Sequence, residues 1–230
     1  MRALAQRNNL LKDCRGHGDL AMMLDVWDQR LAMAGARLLR ARSAYIARLQ
    51  PAAIEIYRGL SAGKEAFDVR YRPAGEGLDA LLGQDDKTLA SALYQLFGGN
   101  RDADIAAGFT TAGPHRDDLE VEIAGLPARV YGSQGQQRSA VLALKLAEAT
   151  LLRTVTGEQP VALLDDVMSE LDAARRDYLL NHLQGRQIIM TSCDGSDFKG
   201  LSSGVSVRIE DGRAAASSSH GMDSVKEQEE

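Results

Sequence analysis

Val161-Ala162-Leu163-Leu164-Asp165-Asp166 decides how the rest of the chain is read. An apolar run without polar alternation is the pattern of a strand buried on both faces. Two carboxylates stand at its C-terminal end, where open α/β sheets place their ligands. Neighbouring strand residues point to opposite sides, so Asp165 and Asp166 face different parts of a site. Mg²⁺ takes oxygen ligands and accepts only one or two of them from protein, which suits one carboxylate of such a pair. A second reading is a helix start, because Asp caps free N–H groups there.

Upstream, Ser133-Gln134-Gly135-Gln136-Gln137-Arg138-Ser139 opens a helix rich in Val141, Leu142, Leu144 and Leu146. Ser133 and Gln136 have the spacing of a capping box. A helix N-terminus beginning with Gly135 offers N–H groups and a positive dipole end to an anion such as a terminal phosphate. An ordinary cap on a core helix satisfies the same pattern. Ser169-Glu170-Leu171-Asp172 follows the carboxylates directly.

Further out, residues 2–13 read as a helix ending near Gly16-His17-Gly18. A long helix follows from Leu20 to Gly59, with Val26, Leu31, Ala34, Leu38, Ala41, Tyr45 and Leu49 at three- and four-residue steps. Pro51 is expected to kink or restart it. Phe67–Tyr71 alternates like a strand, and residues 85–98 read as a helix stopped by Gly98-Gly99. Leu119–Ile123 alternates too and is expected to pair with Ala128–Tyr131 as a hairpin. A helix at 134–153, a buried strand at 161–164, a helix at 172–184, a buried strand at 187–191 and a strand at 205–210 complete an α/β pattern. Residues 214–230 lack periodicity and read as disordered.

Composition narrows the classes. With 44% hydrophobic residues in 230, the chain can build a core. No apolar run is long enough to span a membrane, and residues 1–8 lack the apolar stretch of a signal peptide. Cys14 and Cys193 form no metal-binding spacing and read as reduced, cytoplasmic thiols. Net charge is −5, yet residues 1–58 carry 10 Lys and Arg against 5 Asp and Glu. One basic element is enough to bind DNA in an acidic protein. Arg37, Arg40 and Arg42 on the long helix are its candidates, although a solvated helix face has the same look.

Together these stretches carry a resemblance. Ser133–Arg138 resembles the signature loop of ABC-type ATPases, Leu163–Asp166 a Walker B strand, and Ser169–Asp172 its D-loop. Gln6–Lys12, Trp27–Ala32, Thr111–Leu119, Ser133–Ser139 and Leu163–Asp172, with Arg175 and Leu179, resemble the RecF family of bacterial DNA replication and repair proteins. The resemblance implies a fold: an α/β, partial ABC-type ATPase lobe of the P-loop NTPase class lacking its N-terminal strands, with an inserted helical arm. The expected division is an arm over 1–103, a lobe over 104–213 and a tail over 214–230.

The resemblance also implies roles. Asp165 corresponds to the aspartate linked to Mg²⁺ and Asp166 to the carboxylate that polarises the attacking water. Ser133, Gln134, Gly135 and Gln136 correspond to the loop that touches the γ-phosphate of ATP held by the opposite subunit. Ser169, Glu170, Leu171 and Asp172 correspond to the D-loop at the dimer interface. The implied activity is ATP-dependent binding to single-strand/double-strand DNA junctions and gaps, with RecO and RecR, supporting RecA loading and the SOS response. A histidine that often follows the next strand is absent, since Met190 leads into Thr191-Ser192-Cys193.

The phosphate loop Gly-x-x-x-x-Gly-Lys-Ser/Thr is missing. Gly63-Lys64 is followed by Glu65, and Arg58 stands where the first glycine belongs. The chain reads as a truncated product or fragment that hydrolyses no ATP alone, its sheet edges open. The alternative is a non-catalytic module binding DNA or a partner. His115, in Gly113-Pro114-His115-Arg116-Asp117-Asp118, is a second candidate site or else a structural pin.

Overall fold

The computed structural model describes residues 2–13, 21–183, 185–193 and 204–220. Helix α1, Arg2–Asp13, buries Arg7 and Leu11, four residues apart on one face. The Gly16–Gly18 end expected for it lies outside the described residues. Helix α2 runs from Ala21 to Leu60 and passes through Pro51 without restarting. Its buried stripe is Leu24, Leu31, Ala32, Ala36, Leu39, Ile46, Leu49, Ala53, Ile56 and Tyr57. Of the stripe expected from the sequence, Leu31 and Leu49 are buried, whereas Val26, Ala34, Leu38, Ala41 and Tyr45 stay exposed. The two stripes share Leu31 and Leu49 and both have helical period, and the fold buries the side denser in Leu and Ile.

Strand β1, Phe67–Arg72, is followed by the short helix α3, Leu78–Leu81, then α4, Asp86–Gly99, and α5, Arg101–Ala107. Asp85 caps α4 by accepting from the Thr88 N–H at 2.8 Å. Leu89, Leu93 and Phe97 on α4 pack with Leu31, Ala36 and Leu39 of α2 to form an apolar cluster. A 3₁₀ turn, Pro114–Arg116, leads into β2, Asp118–Ile123. β2 pairs antiparallel with β1, Phe67 opposite Ile123 and Arg72 opposite Asp118.

The expected hairpin partner at Ala128–Tyr131 is instead a helical turn, α6. On its other side from β1, β2 pairs with the two-residue strand β3, Leu126–Pro127. Ala124 and Gly125 have φ of 52° and 76°, the two-residue turn that sets Ile123 opposite Leu126. Pro127 then brings no N–H to extend the ladder. Helix α7 follows over Gln134–Thr156.

Strand β4, Ala162–Asp165, pairs in parallel with β5, Ile188–Thr191, across helix α8, Ala173–His182. This two-stranded sheet is not buried on both faces: Leu163 is 72% and Ile189 58% exposed. The apolar pattern of a doubly covered strand is present, but only one face is covered here. Strand β6, Gly204–Glu210, turns at Asp211 and Gly212 (φ 49° and 73°) into β7, Arg213–His220. Residues 214–220 are therefore strand, where disorder was expected, because Asp-Gly is a hairpin turn as well as a strand end. The rest of that tail lies outside the described residues.

The chain divides into two compact units: residues 1–58 with 64–151, and 59–63 with 152–230. The arm and lobe expected from the sequence were divided near residue 103. No helix among the described residues is long and apolar enough to cross a membrane.

Candidate functional site

In the second unit, the site is the end of β4. Asp165 stands opposite Thr191 of β5. The Thr191 hydroxyl donates to the Asp165 carboxylate and accepts from the Asp166 N–H at 3.1 Å. The Asp166 N–H also reaches the Thr191 carbonyl at 3.2 Å. One hydroxyl thus orients both acidic residues. Asp166 turns out of the ladder with φ 50°, a left-handed conformation that Asp tolerates better than most residues. Both carboxylates are exposed. Asp165 suits a single protein oxygen on Mg²⁺, the rest coming from phosphate and water. Thr191 was missed as a partner of this pair. Its signal is its place at the end of the next apolar run, Ile188–Met190, where the resemblance points to a histidine.

Ser169–Asp172, expected as a D-loop, follow. The Ser169 hydroxyl donates to the Asp166 carbonyl at 2.9 Å. Leu171 is buried, and Asp172 caps α8 by accepting from the Arg175 N–H at 2.9 Å. That N–H, reinforced by the Arg175 guanidinium at 2.6 Å, holds the Asp172 carboxyl below its usual range.

In the first unit, Ser133 and Gln136 form the reciprocal capping box. The Ser133 N–H donates to Gln136 Oε1 at 2.8 Å, and the Gln136 N–H to Ser133 Oγ at 3.3 Å. Gln137 ties down the chain before it through the Ala128 and Gly132 carbonyls. The N–H groups of Gln134 and Gly135, first in α7, have no acceptor within the helix. Such a terminus fits a phosphate. The loop and the two aspartates thus lie in different compact units.

The arm arginines have separate employments. Arg42 donates to the Asp117 carboxylate at 2.9 Å and to the Pro114 carbonyl. Arg40 makes an exposed pair with Asp86 at 2.9 Å. Arg37 is exposed and has no ion-pair partner among the described residues. Asp117 also accepts from the Tyr71 hydroxyl and the Ala74 N–H. His115 Nε2 donates to the Thr110 carbonyl at 3.0 Å. Residues 113–117 therefore act as a pin within the first unit.

A buried charge network lies in the same unit. Arg7, fully buried, donates to Asp28 and Asp104 at 2.6 Å and to the Thr110 hydroxyl at 2.7 Å. Arg101 holds the other oxygen of Asp28, and Thr111 the other oxygen of Asp104. The Asn8 side chain accepts from Thr110. Three stretches quoted for the resemblance thus come together as packing, around Arg7, Asp28 and Thr111.

Known proteins resemble the chain over most of its length. The DNA replication and repair protein RecF of Acetivibrio thermocellus is 37% identical over 214 residues, covering 92% of this chain and 57% of that protein. That of Gloeobacter violaceus is 42% identical over 217 residues, covering 93% and 57%. The chain belongs to the RecF family. Among solved structures, that of the recombination mediator protein RecF-ATP in the RecFOR pathway superposes with a TM-score of 0.77 at 32% identity, covering 95% of this chain and 56% of that one. The RecF-ATPrS structure gives the same TM-score at 33% identity, covering 92% and 55%. No family model matches. The fold is that of a RecF-type ATPase, in part, and the chain spans about 57% of the length of these curated relatives.

Proposed function

We propose that this chain carries the signature loop and the strand-end carboxylates of an ATP-gated, RecF-type DNA clamp. The capping box of Ser133 and Gln136 is the observation that carries this reading, because it holds the first N–H groups of α7 ready for an anion. Gln134 and Gly135 would donate to the terminal phosphate of an ATP held by an intact partner subunit. Asp165 would give one oxygen to Mg²⁺, which neutralises phosphate charge, and Asp166 would orient the attacking water. The D-loop, Ser169 to Asp172, would face the partner across the dimer.

DNA contact on the arm is proposed for Arg37 and Arg40. Arg37 is uncommitted among the described residues, and the exposed Arg40–Asp86 pair exchanges readily with a phosphate. Arg42 is withdrawn, since Asp117 and Pro114 employ it. Gapped DNA, cooperation with RecO and RecR, RecA loading, the SOS response and a cytoplasmic setting follow from the family as parts of the same proposal.

No phosphate loop stands in this sequence, so the pure chain with Mg-ATP is expected to show no turnover. Turnover abolished by Asp166→Asn would contradict that. Binding to gapped DNA should lose about 0.9 units of log–log salt slope for each arm arginine replaced by Ala. An unchanged slope in the Arg37→Ala, Arg40→Ala double variant moves the contact elsewhere. The missing phosphate loop also supports a second reading, a non-catalytic DNA- or partner-binding module. DNA binding indifferent to ATP in the presence of an intact relative would favour it.

A further inference from the structure

Tyr57 and Gln136 lie 79 positions apart in sequence, yet both hydrogen-bond to one carboxylate. Tyr57 is fully buried on α2, and its ring stacks on Phe67 with centroids 4.4 Å apart. Its hydroxyl donates to Glu65 Oε2 at 2.6 Å. The other oxygen, Oε1, accepts from Gln136 Nε2 at 2.7 Å. Gln136 in turn offers its Oε1 to the Ser133 N–H at 2.8 Å. All five residues belong to the same compact unit.

We infer that Glu65 is a positioning residue that relays the placement of the arm helix α2 to the signature loop. An amide side chain has two distinguishable ends, and an anion accepts only from the nitrogen. Glu65 therefore fixes which way Gln136 faces. With its nitrogen on Glu65, Gln136 presents oxygen to the Ser133 N–H, and the capping box closes. The Ser133 hydroxyl, accepting from the Gln136 N–H, keeps its own proton to donate to an anion. A shift of α2 that carries the Tyr57 hydroxyl away loosens Glu65, and the loop loses its fixed form. The charge on Glu65 matters as well as its shape, since bonds to an ionised acceptor are the stronger ones. Motion of the arm, on DNA or on a partner, thereby alters how well the loop caps a nucleotide. This last step rests on the function proposed above.

The test is amide hydrogen exchange on the whole chain, followed at Ser133 and Gln136, with Leu89 and Leu93 as core references. Tyr57→Phe removes only a hydroxyl, and Glu65→Ala removes the relay. Each should speed exchange at the two loop amides about fivefold or more while the core references hold. Unchanged loop amides, or equal acceleration everywhere, would overturn the relay. In a second arm, ATP-dependent association with an intact RecF-family protein should weaken about tenfold in Glu65→Ala. Faster loop exchange with unaltered association would overturn the nucleotide role and leave the relay standing. No ATP-dependent association by the unsubstituted chain would count against the function proposed above, and the exchange arm would still decide the relay.

Discussion

Arg7 and Leu163 show how differently the two units treat their side chains. Arg7, charged, is wholly buried, with Asp28, Asp104 and Thr110 around it and the Phe97 ring 5.4 Å away. Leu163, apolar, is 72% exposed in the middle of a strand. The first unit encloses its expensive group and gives Arg7 Nε and Nη1 partners, as a buried charge requires, while Nη2 has none among the described residues. The second leaves a sheet face of Leu163 and Ile189 open, beside the carboxylates that the family resemblance marks for chemistry. The difference teaches that a motif in a sequence says little about whether its residues hold the fold together. The stretches around Arg7 and Asp28 are structural, whereas the strand at Asp165 ends in exposed carboxylates.

Breaking the contrast on its stronger side gives the largest effect. Arg7→Met strands Asp28 and Asp104 in the interior and should destabilise the first unit by about 3–5 kcal/mol. Trp27, the only tryptophan, reports on that unit during urea unfolding. A loss below about 1 kcal/mol would mean the network is solvated, contrary to its burial.

The sequence made the alternation of helices and strands legible, and with it the α/β class. It also made the capping box legible, because Ser133 and Gln136 interact within one helical turn. It did not show the Arg7 network, whose members lie up to 103 positions apart, or the choice between two helical stripes on α2. Pairing at a distance leaves no periodic trace in one sequence. Thr191 and Glu65 escaped notice for the same reason. Each is an ordinary residue until register or packing sets it beside Asp165 or Gln136.

The other side of the contrast predicts a small effect. Leu163→Ser should cost under about 0.5 kcal/mol in this chain, measured by chemical denaturation, because little burial is lost. A cost above about 2 kcal/mol would show that something covers the face in solution. Smaller again is the pH response of the second unit. Burial, and next the charge of Arg186, push the His182 imidazole below its ordinary value. A depressed value favours the neutral ring in the fold. Its contribution is present above the unfolded value of about 6.5 and is lost as pH falls through the depressed one. Melting of the second unit should fall by ~2 °C more between pH 7.5 and 5.5 in the parent than in His182→Leu. Equal shifts in the two proteins would remove His182 from the account.

The central claim, that residues 133–136 cap a nucleotide held by another subunit, is tested most directly by sedimentation. The chain is mixed with a full-length RecF-family protein, with and without Mg-ATP. The account predicts a complex that forms only with ATP and is lost in Ser133→Arg, where a bulky side chain blocks the loop. A complex that ignores ATP, or one that survives Ser133→Arg unchanged, would contradict it.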